Sequence, residues 1–207
     1  IKKYKIILEP LKKNTAPAIL IPALLKDIPD NQPLVFFSSD NLIGEVKKFN
    51  KSIYLHKKYL NENNIFIFGI KPISPSSEYG YFLSRKSYKN LYQVNEFIEK
   101  PNKKKIKVIL KKGAYMNSGM FFIRKDSIIK NFKKYQKKMF LHCNNSVKNS
   151  KTYKGIYSLN KSSFKKIKEI SFDYAILEKS NNINGIKLNI PLTDLGNWKE
   201  IWKFYKK

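Results

Sequence analysis

Short, wholly apolar runs alternate along this chain with longer lysine-studded stretches of helical period, and that alternation confines it to the α/β class. Ile65–Ile70 is the plainest run, uncharged throughout and of the length of a strand buried on both faces. Tyr4–Leu8, Leu34–Phe37, Ser118–Ile123 and Ile186–Ile190 read as further strands, and Tyr79–Ser84 with Tyr92–Ile98 as a strand pair. Between them the spacing predicts helices over Ala16–Leu25, Ile43–Asn61, Lys103–Lys111, Ser127–Met139 and Phe172–Lys179. Asn14 or Thr15 is placed to cap the first, with Pro17 in its opening turn, and Ser171 caps the last. A closing helix over Trp198–Tyr205 puts Trp198 and Trp202 on one face.

Length and composition bound the rest. At 207 residues with 42% hydrophobic content the chain fills one ordinary domain with a real core. No apolar run approaches the ~18–20 residues that span a bilayer, so no membrane partner is expected. The single cysteine, Cys143, excludes an internal disulfide and fits a reducing, cytoplasmic location. A net charge of +27 suggests a polyanionic partner, but the basic residues are nearly all Lys, Arg85 and Arg124 being the only arginines. Lysine is spread along the whole chain with abundant Asn and Ile, as AT-rich coding produces. Nucleic acid is therefore disfavoured as a partner. His56, in the lysine-rich long helix, and His142 are expected at the surface.

In open parallel sheets, ligands bind beyond the carboxyl ends of strands. Asp40 follows Leu34–Phe37 and Asp194 follows Ile186–Ile190, so each falls at such an end. Two carboxylates there can share a divalent cation, but by spacing alone an Asp after a strand is more often a turn former or helix cap.

Seven short strings occur in an order that resembles the sugar-1-phosphate nucleotidylyltransferases, in their mannose-1-phosphate guanylyltransferase branch. They are Leu8-Glu9-Pro10 followed by Lys13-Asn14-Thr15-Ala16-Pro17-Ala18; Ser38-Ser39-Asp40; Phe68-Gly69-Ile70-Lys71-Pro72 with Tyr79-Gly80-Tyr81; and Phe97-Ile98-Glu99-Lys100-Pro101. Asn117-Ser118-Gly119-Met120-Phe121, Ser171-Phe172-Asp173-Tyr174-Ala175 and Asp194-Leu195-Gly196-Asn197-Trp198 complete the series. Each is weak alone; in sequence from Leu8 to Trp198 they are specific.

The resemblance implies a three-layer, Rossmann-like nucleotide-diphospho-sugar transferase fold, α/β with a mixed, mostly parallel sheet, as one domain over residues 1–207. It implies transfer of GMP from GTP to mannose 1-phosphate with release of pyrophosphate, by in-line attack in which the protein positions reactants and neutralises charge. Asp40 and Asp194 then stand as Mg²⁺ ligands, and with Lys100 as the catalytic set. The sugar pocket maps onto Gly80, Glu99, Lys100 and Asn117. Glu99 accepts from hydroxyls, Asn117 donates and accepts, and Lys100 meets the phosphate. Gly80 leaves room for close approach. Asn14, Thr15 and Ala16 fall where the family holds the guanine nucleotide, at a helix start whose free N–H groups suit base edges or phosphate. Ser171 and Asp173 stand as substrate-binding residues, with helix capping and the helix dipole as their alternative roles.

Departures qualify the match. The glycine-rich phosphate loop of the family, with its arginine and lysine, is not in this sequence, which opens just before Glu9-Pro10 without an initiator methionine. The expectation is a chain lacking the first βαβ unit, impaired or inactive alone, which leaves room for a homo-oligomer or for an N-terminal segment supplied elsewhere. A C-terminal β-helix or isomerase domain is likewise not expected within these residues. Asn41 stands where the family often has His, and Ser76-Ser77-Glu78 where Glu-Thr-Gly is usual. A nucleotidylyltransferase for another sugar or nucleotide, and a non-catalytic relative or basic nucleic-acid binder, are the alternative functions.

Overall fold

The computed structural model describes residues 4–72, 74–87, 91–196 and 198–205, with side chains at 198, 201, 202 and 205 in the last segment; Asn197 of the final motif lies outside them. In chain order the elements begin β1 (Ile6–Leu8), α1 (Thr15–Ala23), β2 (Pro33–Phe36), β3 (Asn41–Ile43), α2 (Val46–Lys57) and β4 (Ile65–Ile70). They continue with β5 (Tyr81–Lys86), β6 (Tyr92–Ile98), α3 (Lys103–Lys111), β7 (Tyr115–Arg124), α4 (Lys125–Tyr135) and α5 (Lys137–Lys148). Last come β8 (Lys151–Tyr153), β9 (Ile156–Ser158), α6 (Lys161–Lys165), α7 (Phe172–Ala175), β10 (Ile183–Leu188), β11 (Leu192–Asp194) and α8 (Trp198–Tyr205). Among the described residues no helix is long and apolar enough to cross a membrane.

The chain packs as two units, Ile1–Gln32 with Lys125–Ser180 and Pro33–Arg124 with Asn181–Lys207. The second unit is built on a six-stranded mixed sheet in the order β2-β7-β4-β10-β6-β5. Four of its strands run one way, while β7 and β6 run against them, so that β4–β10 is the one parallel ladder among five antiparallel ones. The mixed α/β sheet agrees with the sequence; the mostly parallel character holds for strand direction and not for neighbouring pairs. Phe66 and Phe68 of β4, Met120 and Phe122 of β7 and Ile186 and Leu188 of β10 form one buried face. Phe49 of α2 closes over it, its ring 5.2 Å from that of Phe68. Ile106 and Ile109, one turn apart on α3, pack on Tyr81 at the far edge.

A second pairing, β7 with β5, closes β7, β4, β10, β6 and β5 into a ring of ladders. Phe82, wholly buried, fills the middle. A Cβ on Gly69 would run into its ring, and one on Gly185 would lie 2.7 Å from its Cε2. The two glycines are what let a phenyl ring lie flat on adjacent strands.

The first unit is helical around a small sheet ordered β1-β9-β8. α1 is buried over most of its surface, including Ala16, Ile19, Leu20 and Ile21. Lys125 is buried too, and its ammonium is satisfied by the Leu25 and Ile28 carbonyls at 3.2 and 2.6 Å and by Asp30 at 3.1 Å.

Four predicted helices differ in their bounds, the first only slightly, as Thr15–Ala23 in place of Ala16–Leu25. Residues 41–43 pair with 192–194 as an antiparallel ribbon, so α2 starts only at Val46. The stretch read as Ser127–Met139 is two helices, because Gln136 leaves helical geometry (φ −138°, ψ 48°) and its side-chain amide donates to the Ala175 carbonyl at 3.1 Å. The helix after Ser171 ends at Ala175 and continues as a 3₁₀ turn over Leu177–Lys179. His56 is 7% exposed and not a surface residue: its Nδ1 lies 2.7 Å from the Ser52 carbonyl and its ring packs against Phe66.

Candidate functional site

The β3–β11 ribbon carries the two strand-end aspartates. Its last pair is Asp194 with Asn41, and the Leu195 amide donates to the Asp40 carbonyl at 2.9 Å, which holds the two segments in register. Both carboxylates then reach one point beside Gly196, where an added Cβ would meet Asp194 Oδ1 at 2.8 Å and Asp40 Oδ2 at 3.1 Å. The Gly196 amide donates to Asp194 Oδ1 at 2.7 Å, leaving the other oxygens of an exposed Asp40 and a half-buried Asp194 available. Among the described residues neither carboxylate has a lysine or arginine partner, despite the chain's excess of lysine. Nor do those residues hold any cluster of three His, Cys, Asp or Glu side chains. A pair of hard oxygen donors suits Mg²⁺, which takes one or two carboxylates and fills its octahedron with water and phosphate oxygens.

On the same unit, Gly80, Glu99 and Asn117 come together where β5, β6 and β7 meet. The Asn117 amide donates to the Gly80 carbonyl at 2.8 Å, and an added Cβ at Gly80 would sit 2.5 Å from Glu99 Oε2. Glu99 falls one step beyond the Tyr81–Ile98 pair, so strand register brings its carboxylate over the glycine. The room above Gly80, expected to admit a ligand, is occupied by Glu99. The glycine seats that carboxylate. Lys100 is exposed, has no ion-pair partner among the described residues and adopts φ 46°, a left-handed geometry rare for a residue with a Cβ. Asn117 is 5% exposed, and its Oδ1 accepts from the Gly119 amide at 3.4 Å.

In the first unit Asn14, Thr15, Ala16 and Ser171 gather at two helix starts. Asn14 caps α1 from φ 68°, its Oδ1 accepting from the Thr15 amide at 2.8 Å. Thr15 Oγ1 accepts from the Phe172 amide at 2.9 Å, and the Ala16 amide donates to the Ile170 carbonyl at 3.2 Å. Ser171 caps α7 through the Tyr174 amide at 3.4 Å, and half-buried Asp173 lies in the first turn. The free N–H groups expected at the start of α1 are thus largely consumed: two are bonded and Pro17 has none. Side chains, not amides, would have to meet a nucleotide here.

Two titrations in this unit follow from burial. Glu9 is pushed above the ordinary carboxylate range by desolvation. The buried Cys143 thiol is pushed up to about 12, first by desolvation and then by the Glu9 carboxylate.

Tyr79, Tyr81 and Phe82 read from the sequence as strand aromatics used in packing, and Phe82 is buried as such; its central place in the ring was missed, as was Lys187 of β10, whose ammonium lies 3.8 Å from the Tyr92 ring centroid and 4.6 Å from that of Tyr115. The signal was there: an isolated glycine inside each of two apolar strand patterns, Gly69 and Gly185, marks close approach by another group.

Known proteins resemble the chain over nearly its whole length. The nucleotidyl transferase family matches residues 2–207. A mannose-1-phosphate guanylyltransferase from Salmonella montevideo is 32% identical over 210 residues, which cover 98% of this chain and 44% of the relative. Another from Escherichia coli is 33% identical over 211 residues, covering 98% and 46%. The chain spans less than half the length of these curated relatives. A solved structure described as mannose-6-phosphate isomerase from Helicobacter pylori aligns with a TM-score of 0.81 at 29% identity, over 91% of this chain and 74% of that one.

Proposed function

Because the chain belongs to the nucleotidyl transferase family, we propose that it acts on GTP and mannose 1-phosphate, joining GMP to the sugar phosphate and releasing pyrophosphate. The observation that carries this reading is the meeting of Asp40 and Asp194, 154 positions apart in sequence, beside Gly196. Two uncompensated carboxylates in a lysine-rich protein suit a cation that itself binds phosphates. Bound there, Mg²⁺ would neutralise charge on the phosphate oxygens of the reactants.

The chain's own residues do the positioning. Glu99 accepts hydrogen bonds from sugar hydroxyls and Asn117 donates and accepts beside it, while Lys100, solvent-facing and unpaired among the described residues, meets the sugar phosphate. The side-chain donors of Asn14 and Thr15, with Ala16 beside them, take the guanine nucleotide; Ser171 and Asp173 are further substrate-binding residues of the same unit. An in-line displacement at phosphorus asks little more of a protein than orientation and charge balance.

The test is calorimetric titration with mannose 1-phosphate in the presence and absence of Mg²⁺, with pyrophosphate release assayed when GTP is added. Mannose 1-phosphate should bind better than glucose 1-phosphate, and GTP should outcompete UTP. The joint variant Asp40→Asn with Asp194→Asn should abolish the dependence on Mg²⁺. A preference for UTP or for glucose 1-phosphate would replace this reading with a sister reaction, and no binding of any sugar phosphate would end it.

A further inference from the structure

The loop before β5 and the first turns of α3 enclose a cleft of ≈ 370 Å³, within the size range of small-ligand sites. Ser76, Ser77 and Glu78 line it from the loop, and Lys103, Ile106 and Lys107 from the helix. None of the residues assigned above to nucleotide, sugar phosphate or Mg²⁺ lines it. Its loop side is the stretch in which Ser76-Ser77-Glu78 replaces the Glu-Thr-Gly usual in the family, so this chain carries a carboxylate where glycine is usual.

One buried residue, Tyr81, fixes both sides. Its hydroxyl donates to the Ser76 carbonyl at 2.8 Å and accepts from the Ser76 amide at 3.1 Å, while Ile106 and Ile109 of α3 pack with its ring. Within the loop the Glu78 amide donates to Ser76 Oγ at 3.3 Å. The gap is thus set by the backbone, and the charges across it show as much. Glu78, Lys103 and Lys107 line one cleft, yet among the described residues none of the three has an ion-pair partner. Asp27, Asp30, Glu45 and Glu96 each hold a lysine elsewhere. Lys103 and Lys107 stand one turn apart on α3, their Cβ atoms roughly 5–6 Å from each other, so two ammonium groups can straddle one phosphate. Lys105, between them in sequence, is instead 3.4 Å from Glu96.

We propose that this cleft is a second ligand site, for the phosphate monoester of a small polyol. The phosphate lies between Lys103 and Lys107, and the hydroxyls donate to Glu78 and exchange hydrogen bonds with the Ser76 and Ser77 hydroxyls. Ile106 gives the carbon skeleton an apolar floor. A bare anion would face the Glu78 carboxylate, and a neutral polyol would leave both lysines unanswered. A ligand carrying both groups satisfies both sides. The site stands whether or not the sugar-phosphate reading above holds.

The chain is titrated calorimetrically with glucose 6-phosphate, glucose and inorganic phosphate, without Mg²⁺ and at physiological ionic strength, where diffuse charge is screened beyond ~8 Å. Glucose 6-phosphate should bind more tightly than either of its parts. The joint variant Lys103→Gln with Lys107→Gln loses two charged hydrogen bonds and should bind it at least ~10-fold more weakly. Lys104→Gln with Lys111→Gln removes as much charge from the same helix outside the cleft and should change nothing. Glu78→Ala should weaken glucose 6-phosphate while inorganic phosphate binds as tightly or more so. All five side chains are exposed, so each variant should fold. Equal affinities in the two lysine pairs, whether kept or lost, overturn the site, as does a wild type that does not bind glucose 6-phosphate. Binding abolished by Lys100→Gln alone would place that ligand in the sugar-phosphate site, overturning this one and leaving the earlier reading intact. A Glu78 variant with an unchanged preference for glucose 6-phosphate over inorganic phosphate overturns the ligand class.

Discussion

Asn14 and Thr15 at the start of α1, and Asp40 and Asp194 beside the β3–β11 ribbon, are short polar side chains at the ends of elements. They use their bonding capacity in opposite ways. In the first unit the Asn14 and Thr15 oxygens accept backbone amides at 2.8 and 2.9 Å. In the second unit two carboxylates converge on one point and, among the described residues, accept a single hydrogen bond between them, from the Gly196 amide, while Lys187 meets only aromatic rings there. A group whose partners are already in the protein contributes to folding; one set on a rigid platform with capacity to spare is arranged for something that comes and goes. Substitutions in the first set should therefore be felt in stability as well as in binding, and those in the second in binding alone.

The largest effect should come from the platform. Phe82→Ala empties the middle of the five-strand ring and should cost about 3–5 kcal/mol in denaturant unfolding. Gly69→Ala, which drives a methyl into the same ring, should cost about 1–3 kcal/mol by overpacking. Combined with Phe82→Leu, the Gly69→Ala cost should fall, because the atoms it strikes have gone. Strict additivity of the two would mean that the glycine is there for another reason.

Smaller and confined to the first unit is the cap. Asn14→Ala should lower stability by about 0.5–2 kcal/mol. Thr15→Val should cost about 1–3 kcal/mol by leaving the Phe172 amide without its acceptor. Exposed Asp40, changed to Asn, should stay within ~0.5 kcal/mol of the parent in the same unfolding assay. An Asp40 variant as destabilised as the Asn14 variant would erase the distinction between the two regions.

How far the sequence could be read follows the same division. Ile65–Ile70 and Tyr92–Ile98 appear with the expected bounds, and so does Lys103–Lys111, because an unbroken apolar run, a near-alternation of apolar and polar residues, and helical spacing behind an Asn102 cap are all local signals. The β8–β9 hairpin passed unseen: its strands have three residues each, are largely exposed, and turn through Lys154 and Gly155 at φ 45° and 82° without an apolar pattern to announce them. α5 also escaped notice, for its buried Met139, Cys143 and Ser146 are too few and too mixed to stand out. The aspartates were legible as strand-end residues, but Asp194 ends β11 and not the longer β10 before it. What brings it to Asp40 is the ribbon with β3, a pairing across some 150 residues that no local period encodes. The ring around Phe82 was hidden for the same reason: its five strands are scattered from Ile65 to Leu188, and only the two glycines hint at it.

The smallest expected effect concerns Cys143, where the first unit's interior can be probed without disturbing it. The thiol is fully buried and its pKa stands near 12, so at pH 8 only ~10⁻⁴ of it is thiolate. An aromatic disulfide reagent should leave the native chain unmodified and titrate one thiol after denaturation. Burial is the larger cause and Glu9 the lesser, so Glu9→Gln should raise native reactivity by less than ~10-fold. A fast-reacting thiol in that variant would reverse the order of causes. The sign of the stability effect follows from the raised value: above pH 9 the unfolded thiol ionises while the folded one holds its proton. The stability it contributes is therefore whole below pH 9 and lost as pH climbs toward 12. Cys143→Ala should decline less steeply than the parent across that window while matching its slope below pH 9. Identical slopes above pH 9 would mean that the thiol is not held neutral by its surroundings and that this interior is wetter than its packing implies.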